Sequence, residues 1–580
     1  MPKTVEEEGL TTEAPKDRAG PQVSPEQRDL VEQATEGMLG PNPFIGLRPE
    51  TFVEAYRDLL GQAARYPASS IEQTAGLVRE LISVYAGRSS LAPESGDKRF
   101  VGDIWRDNPF YRIYLQSYLA WSAALQNFVD RSNLDADNKA RARFVLSALA
   151  DSFAPTNTLL GNPDALKKTI ETRGANLVAG FRNYVGDLVA NDGLPSQVDK
   201  TAFRLGENLA VSPGAVVFRC PVLELIQYAP ATETVHVRPH LFVAPEVNKF
   251  YVFDLAPGKS MIEYLVKSGF QVFAVSWRNP TAEHRDWGMD TYVEALLAAT
   301  DVIKDITGSD DLIMHAACSG GMTAVSLAGY LAAKHDPRLH ALTLLVASFD
   351  IDDSTPGLFA TPKALAAAKA AVNSKGVLSS AEMSRGFAWM RPREAIWNYW
   401  VNNYLMGNDP PSADLFFWAS DATSLPAKFY GDMMDLVVGG LLLTPGAFTV
   451  LGAPIDISHI QGDKYLVAGA TDHIMPWKGV YRVAQHFSGC REFVLSAAGH
   501  IQSLISPPPG HVKAKFFLNP DLEPTADEWL KGVASTAGSW WPHWQAWLAA
   551  RSGKRRSAPA KLGDAKWRPI AQAPGTYVHE

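Results

Sequence analysis

The chain has 580 residues, which is too long for a single hydrophobic core and predicts about two to four domains. A formal net charge of −8 argues against nucleic acid as a partner, because phosphate binding needs a basic face. The three cysteines, Cys220, Cys318 and Cys490, are too few for a disulfide framework and suit a reducing compartment.

The first segment of the sequence, residues 1–41, is acidic and rich in Glu, Pro and Thr, a composition typical of disorder. It lacks the basic start and apolar run of a secretory signal, so we expect a cytoplasmic protein. The most membrane-like stretch, 436–451, contains Gly-Gly and Pro-Gly pairs and is shorter than the ~20 apolar residues that cross a bilayer. We expect a buried or interfacial helix pair there and no transmembrane segment.

Between residues 42 and 205, apolar residues recur at three- and four-residue spacing, which indicates helices. The predicted helices cover 49–64, 69–86, 109–129, 137–150 and 176–190. Aromatic residues such as Trp105 and Tyr111 fall near helical spacing, which favours packing in a core or an interface. We interpret 42–205 as a helical accessory domain without catalytic groups.

From about residue 206, strands and helices alternate, which predicts an α/β domain with a doubly wound, mostly parallel sheet. Two edge strands are expected first, and a third strand then enters the central sheet. The strands are predicted at 215–220, 223–228, 234–243, 270–276 and 341–347, and the intervening helices at 260–268 and 289–307.

The stretch 311–323 carries the strongest chemical signal in the sequence. It predicts a short apolar strand, a tight turn that holds Cys318, and a helix over 323–334. A strand that breaks sharply into a helix lifts one side chain above the sheet, as in the Gly-x-Ser-x-Gly nucleophile elbow of α/β-hydrolases. Here Cys318 occupies the nucleophile position, Gly320 fits the second Gly, and Ala316 replaces the first. The alternative is a buried structural cysteine.

The alternation stops over 354–462, where the composition becomes helical and aromatic, with helices expected at 381–389, 394–404, 415–418 and 428–443. An insertion at this point of a hydrolase-like sheet is typical of a cap that excludes water from the active site. An independent helical domain would show the same pattern. We therefore interpret 206–580 as an α/β-hydrolase catalytic domain with a cap insertion at 354–462.

Two polar loops follow the strands expected at 464–468 and 492–496, on either side of a helix at 477–487. The first loop delivers Asp472 and the second delivers His500. Alone, Asp472 could be a helix cap and His500 a surface histidine. Their order after Cys318 is the nucleophile–acid–histidine order of α/β-hydrolases, so the sequence predicts a triad.

A thiol nucleophile favours acyl transfer from a CoA-type thioester, because one thioester is exchanged for another and the acyl group stays activated. His500 would take the thiol proton, and Asp472 would orient His500 or help to deprotonate an acceptor hydroxyl. The backbone N–H of Ser319 is one candidate oxyanion donor, and a second is expected near Asn248 in the loop after the third strand.

The carboxyl-terminal part of the sequence holds Trp540, Trp541, Trp544 and Trp547 near one helical face, so we expect these side chains to pack on the domain. The run 554–556 is basic. A solvated tail is expected after residue 551, with attraction to an anionic surface as the alternative.

Across 42–580 the sequence resembles polyhydroxyalkanoate (PHA) synthases, most closely the single-subunit class II enzymes that favour medium-chain acyl groups, with the short-chain class I enzymes next. The resemblance rests on many short blocks. They are Asn-Pro-Phe at 42–44, Asn-Lys-Phe-Tyr-Val-Phe-Asp-Leu at 248–255, Val-Ser-Trp-Arg-Asn-Pro at 275–280, Ala-Cys-Ser-Gly-Gly at 317–321, Trp-Asn-Tyr-Trp at 397–400, Phe-Trp at 417–418, Leu-Pro at 425–426, Gly-Ala-Thr-Asp-His-Ile at 469–474, Gly-His-Ile-Gln-Ser at 499–503 and Pro-Gly-Thr-Tyr-Val-His at 574–579.

The resemblance implies that Cys318 carries the acyl chain, His500 is its base and Asp472 is the third member. It implies (R)-3-hydroxyacyl-CoA as substrate, no separate cofactor or metal, a homodimer, and residence on polymer granules in the cytoplasm. The departure at Ala316 predicts a slightly shifted elbow without loss of activity. A cysteine thioesterase or depolymerase of the same fold, and a non-catalytic granule-coat protein, remain alternatives.

Overall fold

The computed structural model describes residues 67–191, 193–350, 362–505 and 513–580, together with residues 57 and 61. The predicted segment 1–41 and nearly all of the predicted helix 49–64 lie outside this part of the chain. Within it, no helix is both long enough and apolar enough to cross a bilayer.

The amino-terminal part of the described chain is helical, in line with the 3.6-residue periodicity of its sequence. The helices are α1 (Pro67–Tyr85), α2 (Ile104–Asp107), α3 (Pro109–Asp130), α4 (Ala136–Ser152), α5 (Pro163–Glu171) and α6 (Ala175–Ala190). The short helices α2 and α5 were not among those expected. Helix α3 begins where the Asn108 side chain accepts the N–H groups of Phe110 and Tyr111 and Pro109 fills the first turn.

The rest of the chain is organised around one eleven-stranded sheet in the order β15-β14-β13-β12-β7-β6-β4-β5-β2-β1-β17. The strands of the chain are β1 (Gly214–Arg219), β2 (Leu223–Tyr228), β3 (Thr234–His236), β4 (Pro239–Val243), β5 (Gln271–Trp277), β6 (Leu312–Ala317), β7 (Leu339–Leu345), β8 (Val377–Leu378), β9 (Leu425–Pro426), β10 (Thr449–Val450), β11 (Ala453–Pro454), β12 (Asp463–Gly469), β13 (Arg491–Ser496), β14 (Lys515–Leu518), β15 (Ser535–Ala537), β16 (Arg555–Ser557) and β17 (Ala571–Gln572).

The six central strands, from β13 to β5, run parallel, and antiparallel strands extend the sheet at both edges. Strand β6 is buried along its whole length, as a parallel strand covered on both faces should be. The predicted α/β-hydrolase fold with its doubly wound, mostly parallel sheet is confirmed.

The prediction of a single strand over 234–243 is wrong. The chain forms two strands there: β3 pairs with β16 outside the main sheet, and β4 enters the sheet between β5 and β6. Pro239, which has no N–H to donate, begins β4, and a proline favours the end of a strand over its middle.

Helices flank the sheet and bury their apolar faces against it. They are α7 (Met261–Lys267), α8 (Met289–Thr307), α9 (Cys318–Ala333), α14 (Trp477–His486), α15 (His500–Ile505), α16 (Ala526–Leu530) and α17 (Trp541–Ala549). The tryptophans expected to pack near the carboxyl terminus, at 540, 541, 544 and 547, are all buried. Trp544 donates its indole N–H to the Thr343 hydroxyl on β7, which ties α17 to the sheet.

Within the described residues, the predicted cap region consists of helices, one short hairpin and a two-stranded pairing of distant segments. Its helices are α10 (Pro362–Lys375), α11 (Ser380–Met390), two π-helices (Arg393–Trp397 and Trp400–Leu405), α12 (Asp414–Ser420) and α13 (Ala427–Gly439). Helix α10 was not expected. The prediction of a helix pair over 436–451 is wrong. Helix α13 ends at Gly439, Gly440 follows with a left-handed φ of 57°, and a single 3₁₀ turn at Leu441–Leu443 leads to the β10–β11 hairpin.

The helical region and the cap are packed together closely. A Cβ built on Gly180 of α6 would lie 1.9 Å from the carbonyl oxygen of Tyr404 in the second π-helix. Because glycine has no side chain, the backbones of the two helices come into contact at this position. Asn176 donates to the carbonyl of Leu405 at 2.8 Å. The domain boundaries at residues 41 and 205 and the cap limits 354–462 stay predictions.

The chain after residue 551 is not the solvated tail that the sequence predicts. Strand β16 pairs with β3, β17 pairs with β1, and Tyr577 and Val578 are buried. The basic run is also engaged, since Arg556 donates to the Thr307 carbonyl and to Gln271. The expectation was wrong because these acceptors come from distant parts of the chain.

Candidate active site

Cys318 lies at the point where β6 meets α9 with no loop between them. Its φ of 50° is left-handed, an expensive conformation for a residue with a side chain. The helix predicted to begin at residue 323 in fact begins at Cys318. The small residues at 319–321 indicate a turn in the sequence, whereas in the fold they allow the first helical turn to pack against neighbouring strands.

Two glycines make that packing possible. A Cβ on Gly320 would lie 2.5 Å from the carbonyl oxygen of Ala244, just after β4, and a Cβ on Gly321 would lie 2.7 Å from the Cβ of Ala347. Ala316, which replaces the first glycine of the elbow pattern, is fully buried in β6 and pairs with residues of β4 and β7. The fold therefore accommodates the Ala316 methyl group and still forms the sharp strand-to-helix turn.

Asp472 and His500 are brought together because they follow neighbouring parallel strands, β12 and β13. The Nδ1 atom of His500 lies 2.7 Å from Oδ2 of Asp472. The other carboxylate oxygen, Oδ1, accepts the backbone N–H groups of Ile474 and Met475, each at 2.9 Å. These backbone bonds fix the carboxylate so that Oδ2 faces the imidazole.

The Cys318 side chain lies close enough to His500 to raise the pKa of the imidazole. Since Nδ1 faces Asp472, the other ring nitrogen, Nε2, is the one left for the sulfur. Burial alone would lower the pKa of His500, but the charge of Asp472, the charge of Cys318 and the hydrogen bonds to both groups raise it to about 10. The three predicted triad side chains thus lie in the order sulfur, imidazole, carboxylate, and all three are buried.

The two candidate oxyanion donors lie on segments that touch each other. Ser319 is in the first turn of α9, where backbone N–H groups have no acceptor within the helix. Asn248 lies in the loop after β4 and is buried. The Ser319 hydroxyl accepts the backbone N–H of Glu246, two residues before Asn248 in that loop.

The Asn248 loop also contacts the cap. Asn248 pairs with Ala422 in an isolated antiparallel bridge, and the N–H of Thr423 donates to the Val247 carbonyl at 3.0 Å. A cleft of about 720 Å³ opens beside Asn248, between the cap and the segment that follows α6. None of the three triad side chains lines this cleft.

Sequence reasoning missed two buried polar residues near Cys318. The hydroxyl of Thr323 on α9 donates to Oε1 of Glu246 at 2.6 Å, and both side chains are buried. A signal was present for Glu246, because a carboxyl group stands in an otherwise apolar stretch directly after a buried strand.

Two family models match the chain. One, described as the N-terminus of poly-beta-hydroxybutyrate polymerase (PhaC), matches residues 96–265. The other, described as the alpha/beta hydrolase fold, matches residues 252–507.

The chain is also similar to named proteins. It is 48% identical to poly(3-hydroxyalkanoate) polymerase 1 of Ectopseudomonas oleovorans, over 95% of this chain and 99% of that protein. It is 38% identical to the poly(3-hydroxyalkanoate) polymerase subunit PhaC of Cupriavidus necator, over 85% of this chain and 84% of that protein. A solved monoglyceride lipase from Saccharomyces cerevisiae matches 61% of this chain and 98% of its own, with 12% identity and a TM-score of 0.36.

Proposed function

The chain belongs to the poly(3-hydroxyalkanoate) polymerase family, and from this we propose that it is an acyltransferase that polymerises (R)-3-hydroxyacyl-CoA and releases CoA. The single observation in the fold that supports this most is the contact of His500 with both Cys318 and Asp472. A thiol in this position can hold an acyl group as a thioester, which keeps it activated for transfer.

Before the first step the Cys318 proton has moved to Nε2 of His500, and the sulfur then attacks the thioester carbonyl of the substrate as a thiolate. The C–S bond to Cys318 forms, the C–S bond to CoA breaks, and the CoA thiolate takes the proton back from His500. The raised pKa of His500 favours this proton transfer, since the Asp472 carboxylate stabilises the imidazolium. Because one thioester replaces another, the step is nearly neutral in free energy.

Chain growth follows when the hydroxyl of one 3-hydroxyacyl unit attacks the thioester carbonyl of another. The proton of the attacking hydroxyl passes to His500, and an ester bond forms. The sulfur of the attacked thioester leaves as a thiolate and takes this proton from His500. Water competes for the same carbonyl. The burial of Cys318, Asp472 and His500 supports exclusion of water, and it also means that the covering segments must move for an acyl-CoA to reach the sulfur.

During each attack the carbonyl oxygen gains negative charge. We assign its stabilisation to the backbone N–H groups of Ser319 and Asn248, whose segments are joined through Glu246. No separate cofactor or metal takes part in these steps.

We also infer a homodimer that resides on cytoplasmic polymer granules, with a preference for medium-chain acyl groups as in class II enzymes. Exposed apolar side chains on α6 support attachment to an apolar polymer surface: Val178, Phe181 and Val189 are 74%, 67% and 86% exposed. Sedimentation of the purified protein tests the dimer, and co-purification with granules tests the location.

The decisive experiment supplies 3-hydroxybutyryl-CoA and 3-hydroxydecanoyl-CoA to the purified protein. CoA release is followed with a thiol reagent, and the product is analysed by gas chromatography. We expect insoluble polyester, and more of it from the longer donor. Free hydroxy acid would instead identify a thioesterase or depolymerase, and no CoA release would identify a granule-coat protein.

A matched pair of variants links the activity to one thiol. Cys318→Ala should abolish CoA release, whereas Cys490→Ala, which removes an exposed free cysteine, should leave it unchanged. Undiminished polymer synthesis by C318A would overturn the assignment of the nucleophile.

A further inference from the structure

The loop that carries Asn248, residues 245–249, is anchored on one side to the cap. The N–H of Thr423 donates to the Val247 carbonyl at 3.0 Å, and the indole N–H of Trp418 donates to the Lys249 carbonyl at 2.8 Å. Motion of the cap would therefore pull on this loop unless something holds its other side.

Glu246 holds the other side, against helix α9. Its backbone N–H donates to the Ser319 hydroxyl at 3.1 Å, and its Oε1 accepts the Thr323 hydroxyl at 2.6 Å. Ser319 and Thr323 are four residues apart on one helix face, so Glu246 spans the first turn of the helix that begins at Cys318.

The burial of the Glu246 carboxyl group costs free energy. Glu246 is 1% exposed, and Ser319 and Thr323 are fully buried. Burial raises the pKa of Glu246 to about 7, although hydrogen bonds with Thr323 and Ser319 act in the opposite direction. Its Oε2 has no hydrogen-bond partner within the described residues. Burial raises the pKa of Tyr292, and the charge of Glu246 raises it further. A buried carboxyl oxygen without a hydrogen-bond partner destabilises the folded state, which points to a role of Glu246 beyond folding.

We propose that Glu246 is a positioning residue for acyl transfer at Cys318: it holds the loop of Asn248 against the first turn of α9, so that the N–H groups of Asn248 and Ser319 face one oxyanion. The inference rests on the proposed acyl transfer, because an oxyanion forms only when a carbonyl is attacked. Donors stabilise such a charge only when they are aligned to within a fraction of an ångström. Glu246 itself touches no substrate and acts through the two backbone segments.

The test removes one hydrogen bond and leaves the triad intact. Thr323→Val replaces the hydroxyl with a methyl of similar size, and we expect kcat to fall about 10-fold or more while KM changes by less than about 2-fold. Thr323→Ser keeps the hydroxyl and should recover most of the kcat. If T323V fails to fold, Ser319→Ala tests the same attachment of the Glu246 loop to α9. It removes the acceptor of the Glu246 N–H and keeps the backbone N–H of residue 319.

The matched control is Ser212→Ala. The Ser212 hydroxyl donates to another buried carboxyl, that of Asp254, at 2.5 Å, later in the segment that joins β4 to α7. We expect S212A to lower the melting temperature about as much as T323V does, with kcat unchanged. An equal loss of kcat in S212A would show general destabilisation and overturn the inference.

A second substrate separates the inference from the proposed function. The initial burst with p-nitrophenyl acetate measures acylation of the thiol, and it does not depend on which acyl-CoA is the natural substrate. A burst rate in T323V equal to that of the unsubstituted protein overturns the inference, even if polymer forms normally. A slower burst in T323V, in a protein that makes no polymer, overturns the proposed function and supports the inference.

Discussion

Nδ1 of His500 lies 2.7 Å from Oδ2 of Asp472, across the ends of two neighbouring parallel strands. The strands β12 and β13 are in register from Lys464 opposite Arg491 to Gly469 opposite Ser496, so the loops that follow them leave the sheet at the same edge. This register brings together two side chains that are 28 residues apart. The same edge of the sheet carries Cys318 at the end of β6.

Asp472→Asn should lower kcat about 10²- to 10⁴-fold, because an amide stabilises neither the required tautomer nor the imidazolium of His500. CoA release under saturating substrate measures the effect. The control is Glu492→Gln, which alters a half-buried carboxylate that lies 3.9 Å from another imidazole, that of His543. E492Q should leave kcat unchanged, and an equal effect in the two variants would contradict the triad.

The raised pKa of His500 predicts how stability depends on pH. The folded protein holds the His500 proton up to a pH of about 10, whereas the unfolded chain releases it near 6.5. This contribution to the free energy of unfolding is complete below about pH 6.5 and is lost as the pH rises towards 10. Urea unfolding at about pH 6, 8 and 10 measures the decline.

His500→Gln removes the titrating group and should flatten the decline over the same pH range. Its unfolding free energy at high pH should approach that of the unsubstituted protein. If H500Q lost stability with the same slope, the decline would come from other groups.

Gly320→Ala should destabilise the protein by about 1–3 kcal/mol and lower kcat, because the added methyl would meet the Ala244 backbone at 2.5 Å and backbone cannot move aside cheaply. Thermal unfolding and CoA release measure the two effects. The contact lies directly beside Cys318, so relief of the clash must shift the elbow.

Ala316→Gly is the informative contrast, two residues before Cys318. It restores the usual elbow pattern, but Ala316 is already accommodated without exposure. We expect a loss of about 0.5–1 kcal/mol of stability from the more flexible glycine and little change in kcat. A large gain in activity would show that the Ala316 methyl strains the turn.

A pair of buried histidines predicts sensitivity to acid. Nδ1 of His240 lies 2.9 Å from Nε2 of His315, and both rings are fully buried. Burial lowers the pKa of His315 to about 3 and that of His240 well below its usual value. Near pH 6.5 the two histidines therefore become protonated in the unfolded chain but not in the folded protein. As the pH is lowered from 6.5, the free energy of unfolding should decrease by about 1.4 kcal/mol per pH unit for each histidine.

His315→Phe tests this by removing one of the two groups. Its stability at pH 7 should be lower, because His240 loses a hydrogen-bond partner, but the slope between about pH 4 and 6 should be roughly halved. Unfolding midpoints over this range give the slope. An unchanged slope would mean that other groups cause the acid sensitivity.

Much of the candidate site was predictable from the sequence, because its residues follow a local rule. Cys318, Asp472 and His500 each come directly after an apolar strand, and parallel strands bring their carboxyl ends to one edge of a sheet. The order of the three residues and the strand-to-helix break at 318 therefore indicate both the fold and the chemistry. The helices of 67–190 were likewise readable from their apolar spacing, except for the short helices α2 and α5.

Only the tertiary structure decided the contacts between segments that are far apart in the chain. Glu246 and Thr323 are 77 residues apart, and Arg556 reaches the Thr307 carbonyl across 249 residues. Periodicity and composition describe which face of an element is apolar, but they carry no information on which polar group from elsewhere will meet a buried donor. The amino-acid sequence by itself predicted most of the helices and strands and the candidate triad. Strand order and packing decided that a carboxyl group contacts the first turn of α9 and that the chain after residue 551 lies against the sheet.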